Sequence, residues 1–326
     1  MRALVLAGGE GKRLKPITNS IPKILLPICN KPTLCHLLEC LKESGIFEEV
    51  VLSLGNLSQK VISFLSNYEA PIPIRVRVEE EPLDTGGAIK FSAPAGNEFF
   101  VINGDIICDV DYQSMLSFHK AKKADITILT VKVNDISPFG SIFFDGDFRV
   151  KGFSEKTKER RAGFVNGAIY IINQRTLQFF PDRKCSLERE IFPRLLSLDN
   201  IKIFSYLHFG YWMDIGERER YIQLHKDILD SRYPMDISAF SPDIEEGAEV
   251  GEPAVFGMNC RIGKGARVLS YSVMGNDVVI ENGSEVGESV LFDKVRVGEG
   301  SRIHRSIVGE GCFIPQGSTI CDMIIG

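Results

Sequence analysis

The 326-residue chain has no apolar run near the roughly 18 residues that a membrane-spanning helix needs. Its opening run, Arg2-Ala-Leu-Val-Leu-Ala7, is too short for the apolar stretch of a secretion signal and runs straight into glycines and charges, so an export leader is not expected. Positive charge is not in surplus: 38 Lys and Arg face 43 Asp and Glu, which argues against a general affinity for nucleic acid. The eight cysteines, Cys29, Cys35, Cys40, Cys108, Cys185, Cys260, Cys312 and Cys321, include no pair with CxxC spacing. A zinc site is therefore not expected, and scattered free thiols suit a reducing cytosol. His36, His119, His208, His225 and His304 stand far apart, and their spacing supports no Ser-His-Asp or Cys-His pairing. These absences predict a cytoplasmic protein without nucleic-acid or membrane partners. Any phosphate chemistry must then rest on a local cluster of basic residues.

What the chain does contain falls into two patterns, expected as domains at residues 1–235 and 236–326. The first alternates short β-rich runs with helical spacing. Ala3-Leu-Val-Leu6, Val50-Val-Leu-Ser-Leu54 and Phe99-Phe-Val-Ile102 read as buried strands, whereas Leu34, Leu37, Leu38 and Leu41 follow a helical period. Such alternation implies an α/β fold with a Rossmann-like, mostly parallel sheet covered on both faces. In the second pattern, Ile244, Val250, Phe256, Ile262 and Val268 recur every six residues, and the series resumes at Ile280 and Val286. Ser272, Ser289 and Ser306 mark a superimposed 17-residue repeat. This is the grammar of a left-handed parallel β-helix of hexapeptide repeats, with Val250, Ile262, Val286, Val297 and Ile314 pointing inward.

Leu6-Ala7-Gly8-Gly9-Glu-Gly11-Lys12-Arg13-Leu-Lys15-Pro16 follows the first strand directly. A glycine-rich turn there lets backbone N–H groups approach phosphate oxygens. It is not a Walker A loop, because Leu6 stands where the first glycine is required and Arg13 follows the lysine. The glycine spacing also excludes the dinucleotide-binding fingerprint. Lys12, Arg13, Lys15 and Lys23 supply the local positive charge that a polyanion requires.

The run Gly8-Gly-x-Gly11-x-Arg13-Leu-x-Pro16, with Pro22-Lys23-x-Leu-x-Pro27, resembles the signature of the sugar-phosphate nucleotidyltransferases. Asn103-Gly-Asp105 and Tyr211-Trp-Met-Asp-Ile-Gly216 resemble two further segments in the family's order. The resemblance implies transfer of a nucleotidyl group from a nucleoside triphosphate to a sugar 1-phosphate with release of pyrophosphate. It assigns catalysis to Arg13, Lys23, Asp105 and Asp214, with Arg13 and Lys23 on the β- and γ-phosphates and both aspartates on Mg²⁺. Nucleotide binding falls to Leu6, Ala7, Gly8, Gly9, Gly11, Glu80, Pro82, Thr85, Gly86 and Asp105. Sugar-phosphate binding falls to Gly140, Glu155, Lys156, Asn166 and Trp212.

Within the family, Glu80-Glu-Pro-Leu83, Ile106-Ile-Cys-Asp109 and Ser186-Leu-Glu-Arg-Glu190 resemble GDP-mannose pyrophosphorylases, which makes GTP and mannose 1-phosphate the expected substrates. Those enzymes usually carry Gly at the Asp84 position and Ala at Gly86. The Thr85-Gly86-Gly87 variant is closer to guanylyltransferases for heptose phosphate and uridylyltransferases for muramic acid phosphate. A UTP- or dTTP-dependent transferase, a heptose-1-phosphate guanylyltransferase and a non-catalytic regulatory paralogue are the alternatives. Hexapeptide β-helices expose strand edges and apolar stacks that need covering, so a homo-oligomer is expected.

Overall fold

The apolar run at Arg2–Ala7 (β1) lies between Glu49–Leu54 (β2) and Glu98–Asn103 (β4), parallel to both. A computed structural model describes residues 1–154 and 160–326 of the chain. The three strands are apolar through their centres because both faces of the sheet are covered. Along β4, Phe99 and Val101 join a core with Ile89, Ile191 and Phe192, whereas Phe100 meets Phe47 and Tyr112 edge to face. Ile74–Val78 (β3) adds to the β2 edge and alternates in exposure, with Arg75 and Arg77 outward.

Among the described residues, seven of the sheet's nine strands run in one direction, the expected mostly parallel arrangement, and two run against them. Ile106–Cys108 (β5) leaves the end of β4, and Ile126–Val133 (β6) pairs in parallel with Ile203–His208 (β10). Ser141–Phe144 (β7), Val150–Ser154 (β8) and Gly163–Asn173 (β9) are antiparallel to their partners, β9 against both β4 and β6. Residues 145–149 are too few for the crossover that a parallel pair requires, so β7 and β8 fold back on each other as a hairpin.

The chain divides into two compact units, Met1–Gly9 with Leu37–Trp212, and Glu10–His36 with Met213–Gly326. The first holds the mixed sheet. Its helices include Asp84–Ser92 (α1) and Tyr112–Lys122 (α2), the latter capped by Asp111, whose carboxylate accepts from Ser114 N.

The second unit contains the β-helix, three parallel stacks of five short strands. Asp243, Arg261, Val279, Arg296 and Phe313 begin the rungs of one stack. Ile262, Val286, Val297 and Ile314 are buried in its interior, and Val250 packs against the same core while partly exposed. Ile244, in the first coil, is 48% exposed because no preceding coil covers it. Gly265, Gly283, Gly300 and Gly317 turn corners with φ of 63–68°. The repeated serines are fully buried and bond from coil to coil: Ser306 N donates to Ser289 Oγ at 3.1 Å, and Met323 N to Ser306 Oγ at 3.1 Å. A helix at Arg218–Leu229 (α3) precedes the β-helix. Among the described residues, no helix is long and apolar enough to cross a membrane.

Two predictions follow from burial. Ile280 is fully buried, so Ile280→Ala should cost about 2–5 kcal/mol, whereas Ile244→Ala should cost no more than about 0.5 kcal/mol. Urea unfolding curves of the two variants measure the contrast. Burial also lowers His119 and His225 to a pKa of about 4. The unfolded chain titrates at an ordinary value of about 6.5, so between these values it binds more protons than the folded chain. The contribution is fully present above about pH 6.5 and is lost as pH falls towards about 4. Urea midpoints across that window should flatten in the His119→Gln/His225→Gln variant.

Candidate active site

In the first unit, parallel pairing aligns Leu6 with Ser53 on one side and Asn103 on the other. The C-terminal ends of the three strands therefore share one edge, where ligands of α/β sheets bind. Leu6, Ala7, Gly8 and Gly9 follow one another along it. Gly104 N donates to Leu6 O at 2.9 Å, closing the turn that carries the partly buried Asp105. Asn103 Oδ1 is buried there without a hydrogen-bond partner. Near the same strand ends, the Glu79 carboxylate is buried and accepts from Ser53 Oγ at 2.9 Å and Leu83 N at 3.0 Å. Glu80 and Pro82, expected to contact the nucleotide, are exposed beside it. Glu79 has the parity of the outward Arg75 and Arg77, so the alternation along β3 carries no signal that it turns inward.

Thr85 and Gly86 begin α1 and pack on the Cys185–Glu190 segment. Thr85 Oγ1 donates to Glu188 Oε2 at 3.1 Å and accepts from Leu187 N at 2.8 Å. Asp84 adopts a left-handed φ of 60°, held by its carboxylate accepting from Thr85 N at 2.8 Å and pairing with Arg189 at 3.2 Å. A Cβ at Gly86 would meet Cys185 Sγ at 2.9 Å and Cys185 O at 3.0 Å, so the bulk of Cys185 excludes alanine.

Gly140, Asn166 and Trp212 share this unit with that segment. Trp212 Nε1 donates to Gly167 O at 3.0 Å, and its ring meets Phe139 edge to face. Asn166 Nδ2 donates to Tyr170 OH at 2.7 Å, and Tyr170 OH donates to Glu188 Oε1 at 3.3 Å. One hydrogen-bonded line thus runs from Asn166 through Tyr170 and Glu188 to Thr85. Burial raises the Tyr170 phenol well above its ordinary pKa, with the Glu188 charge adding to the effect, so the hydroxyl keeps its proton and can donate. Glu155 and Lys156 lie outside the described residues.

The second unit gathers Arg13, Lys23 and Asp214 around Gly216. Gly11 and the short turns Lys12–Leu14 and Lys23–Leu25 carry the two cations. Asp214 Oδ1 accepts from Gly216 N at 2.7 Å and lies 4.0 Å from Lys23 Nζ, while Arg220 Nη1 is 3.3 Å from Oδ2. Arg13 pairs with Glu217, which also takes Arg220 Nη2 at 3.0 Å. A Cβ on Gly216 would sit 2.7 Å from Arg13 Nη2, 2.8 Å from Asp214 Oδ1 and 3.2 Å from Lys23 Nζ. A side chain at this position would have to push these groups aside. In the sequence Glu217 stands at capping-box spacing from Asp214, whereas Arg220 has no signal beyond helical spacing. Asp214 is not a helix cap: α3 begins after Glu217, and no side chain caps it.

Two residues dismissed on spacing meet in the first unit. Cys108 Sγ is 3.5 Å from His208 Nε2, and Asp109 Oδ1 is 3.0 Å from the same nitrogen.

Residues 2–231 match the family described as Nucleotidyl transferase, and residues 245–322 match the GlmU-like, C-terminal hexapeptide family. The chain is similar to Mannose-1-phosphate guanylyltransferase 1 of Arabidopsis thaliana, 32% identical over all of this chain and 90% of that protein. It is 34% identical to Mannose-1-phosphate guanylyltransferase of Mycobacterium tuberculosis, over 93% of this chain and 83% of the relative. Among solved structures it resembles HddC from Yersinia pseudotuberculosis complexed with GMP-PN, at a TM-score of 0.60 and 30% identity, covering 70% of this chain and 99% of that one.

Tyr170→Phe removes the hydroxyl that joins Asn166 to Glu188 and leaves both polar groups short of a partner. The expected loss of stability is about 1–3 kcal/mol, read from urea unfolding. A change below about 0.5 kcal/mol would show that the hydroxyl's bonds contribute little to stability.

Proposed function

The chain belongs to the nucleotidyl transferase family, and from that premise we propose that it transfers the guanylyl group of GTP to mannose 1-phosphate, giving GDP-mannose and pyrophosphate. The observation that carries the reading is the crowding of Arg13, Lys23 and Asp214 around Gly216, within 3.2 Å of where its Cβ would lie. Cations brought so close to one another and to a carboxylate are suited to a polyanion and its charge-balancing metal. The relatives named above act on mannose 1-phosphate by name, and HddC was complexed with GMP-PN, which favours a guanine nucleotide.

The sugar phosphate is already an anionic nucleophile near neutral pH, so the protein's tasks are alignment and neutralisation of charge. In this reading Arg13 and Lys23 hold the β- and γ-phosphates and stabilise the charge that builds on the leaving pyrophosphate. Leu6, Ala7, Gly8, Gly9 and Gly11 supply backbone donors to the nucleotide. Glu80, Pro82, Thr85 and Gly86 border the nucleoside, with Thr85 positioned by Glu188. Gly140, Glu155, Lys156, Asn166 and Trp212 take the sugar phosphate. The departures at Asp84 and Gly86 are explained by packing: Asp84 keeps a glycine-like φ, and Cys185 occupies the space of a side chain at 86. They do not oppose a guanine site.

Mg²⁺ suits the donors proposed for it. Asp105 and Asp214 offer hard carboxylate oxygens, Asp214 keeps about a fifth of its side chain exposed, and Asn103 Oδ1 is a buried acceptor without a partner. When bound, the ion neutralises charge on the phosphate oxygens. Residues 1–235 would form the catalytic domain and 236–326 the β-helix, which we assign to stability and self-association as a homo-oligomer in the cytoplasm.

Pyrophosphate release with GTP, UTP, dTTP, ATP and CTP, each with mannose or glucose 1-phosphate, tests the reading. GTP with mannose 1-phosphate should lead by roughly tenfold or more in kcat/KM. A tenfold preference for UTP or dTTP would reject the guanylyl assignment, and no turnover with any pair would favour a regulatory paralogue. Asp105→Asn and Asp214→Asn should keep the fold and lose about 10²-fold in kcat. Gly216→Ala, which displaces Arg13 and Asp214 without removing either, should lose a similar amount.

A further inference from the structure

The group at Cys108, Asp109 and His208 takes no part in the proposed transfer. It forms where the end of β5 meets the end of β10. Cys108 Sγ, an Asp109 oxygen and a His208 ring nitrogen all lie within 4.8 Å of one another. His208 Nε2 is 3.0 Å from Asp109 Oδ1, 3.1 Å from Tyr211 O and 3.5 Å from Cys108 Sγ. Asp109 N also donates to Tyr211 O at 3.3 Å, which fixes that carbonyl.

One sulfur and two oxygens, each with a lone pair, thus crowd a single His208 ring nitrogen. A single ring N–H carries one proton and cannot serve three acceptors well, whereas a cation serves all of them together. Ligand distances of about 2.0–2.3 Å at a tetrahedral ion put neighbouring donors about 3.3–3.7 Å apart. The separations from His208 Nε2, 3.0, 3.1 and 3.5 Å, lie within or just below that range. Gly210 makes the approach possible: a Cβ there would lie 2.8 Å from Asp109 Cγ and overlap the carboxylate. The donors also choose the ion. Thiolate and imidazole favour Zn²⁺ or Co²⁺ and disfavour Mg²⁺, which takes oxygen ligands.

We propose that Cys108, Asp109 and His208, with Tyr211 O as a fourth donor, bind one Zn²⁺-type ion. The ion would clamp the Phe209–Tyr211 segment to the end of β5 and so steady Trp212, whose indole is bonded to Gly167 O. The clamp stands on this geometry alone and does not depend on which substrates the enzyme uses.

The test is a Co²⁺ titration of the full chain, stripped with chelator and returned to a buffer containing Mg²⁺. One equivalent should give visible d–d bands with a near-ultraviolet thiolate-to-cobalt band, and one equivalent of Zn²⁺ should bleach both and raise the Tm. Cys108→Ser should lose the thiolate band, and His208→Gln should weaken Co²⁺ binding by about tenfold or more. Cys321→Ser, at an exposed cysteine, should leave the spectrum unchanged. Gly210→Ala keeps every ligand yet displaces Asp109, so it serves if the ligand variants do not fold; it too should weaken binding. No thiolate band in the wild-type protein, or a band that survives in Cys108→Ser, overturns the proposal and leaves a hydrogen-bonded Cys-Asp-His group.

Discussion

The backbone ladder that locks β1 between β2 and β4 is the constraint on which the first unit depends. Parallel pairing on both edges sets β1 in the middle of the sheet, and because both faces there are covered, Ala3, Leu4 and Val5 are fully buried. The same register brings Leu6, Ser53 and Asn103 level with one another. Three chains then leave the sheet together at one edge. The glycine turn, the buried Glu79 and the Asn103–Asp105 turn owe their common location to that register and not to any attraction among themselves.

The second unit applies a different constraint to charge. Arg13, Lys23, Asp214, Glu217 and Arg220 crowd a small volume, and each charge meets an opposite one. Several of these side chains are partly exposed, so the pairs contribute little to stability. Their arrangement holds three cations side by side in one small volume. Gly216 sets how closely they gather, because any side chain at that position would push them apart.

Much of this was legible from sequence because it is periodic or local. The six-residue phase from Ile262 to Ile314 reads as inward positions because a coil of fixed length returns each aliphatic residue to the same interior line. Ile244 shares the phase but is exposed, since periodicity carries no information about where the stack ends. The apolar runs of β1, β2 and β4 were equally plain. The direction of β9 was not, because strand direction is set by the length of the connections and not by the strand's own composition. At the site, Arg13 and Lys23 stand in a recognisable run, whereas the burial of Glu79 beside the exposed Glu80 depends on contacts from Ser53 and Leu83 that no local pattern carries.

The sequence by itself determined the strand and coil periods, the glycine turn with its cations and the order of the two aspartate segments, since each is a pattern among near neighbours. Tertiary structure alone decided that Asn166, Tyr170, Glu188 and Thr85 form one hydrogen-bonded line, that Gly216 is the point around which Arg13, Lys23 and Asp214 meet, and that Cys108 and His208 touch. The physical reason is common to all three. Each contact joins residues whose separation along the chain is unrelated to their separation in space, and only the pairing of strands and the closure of turns brings such residues together.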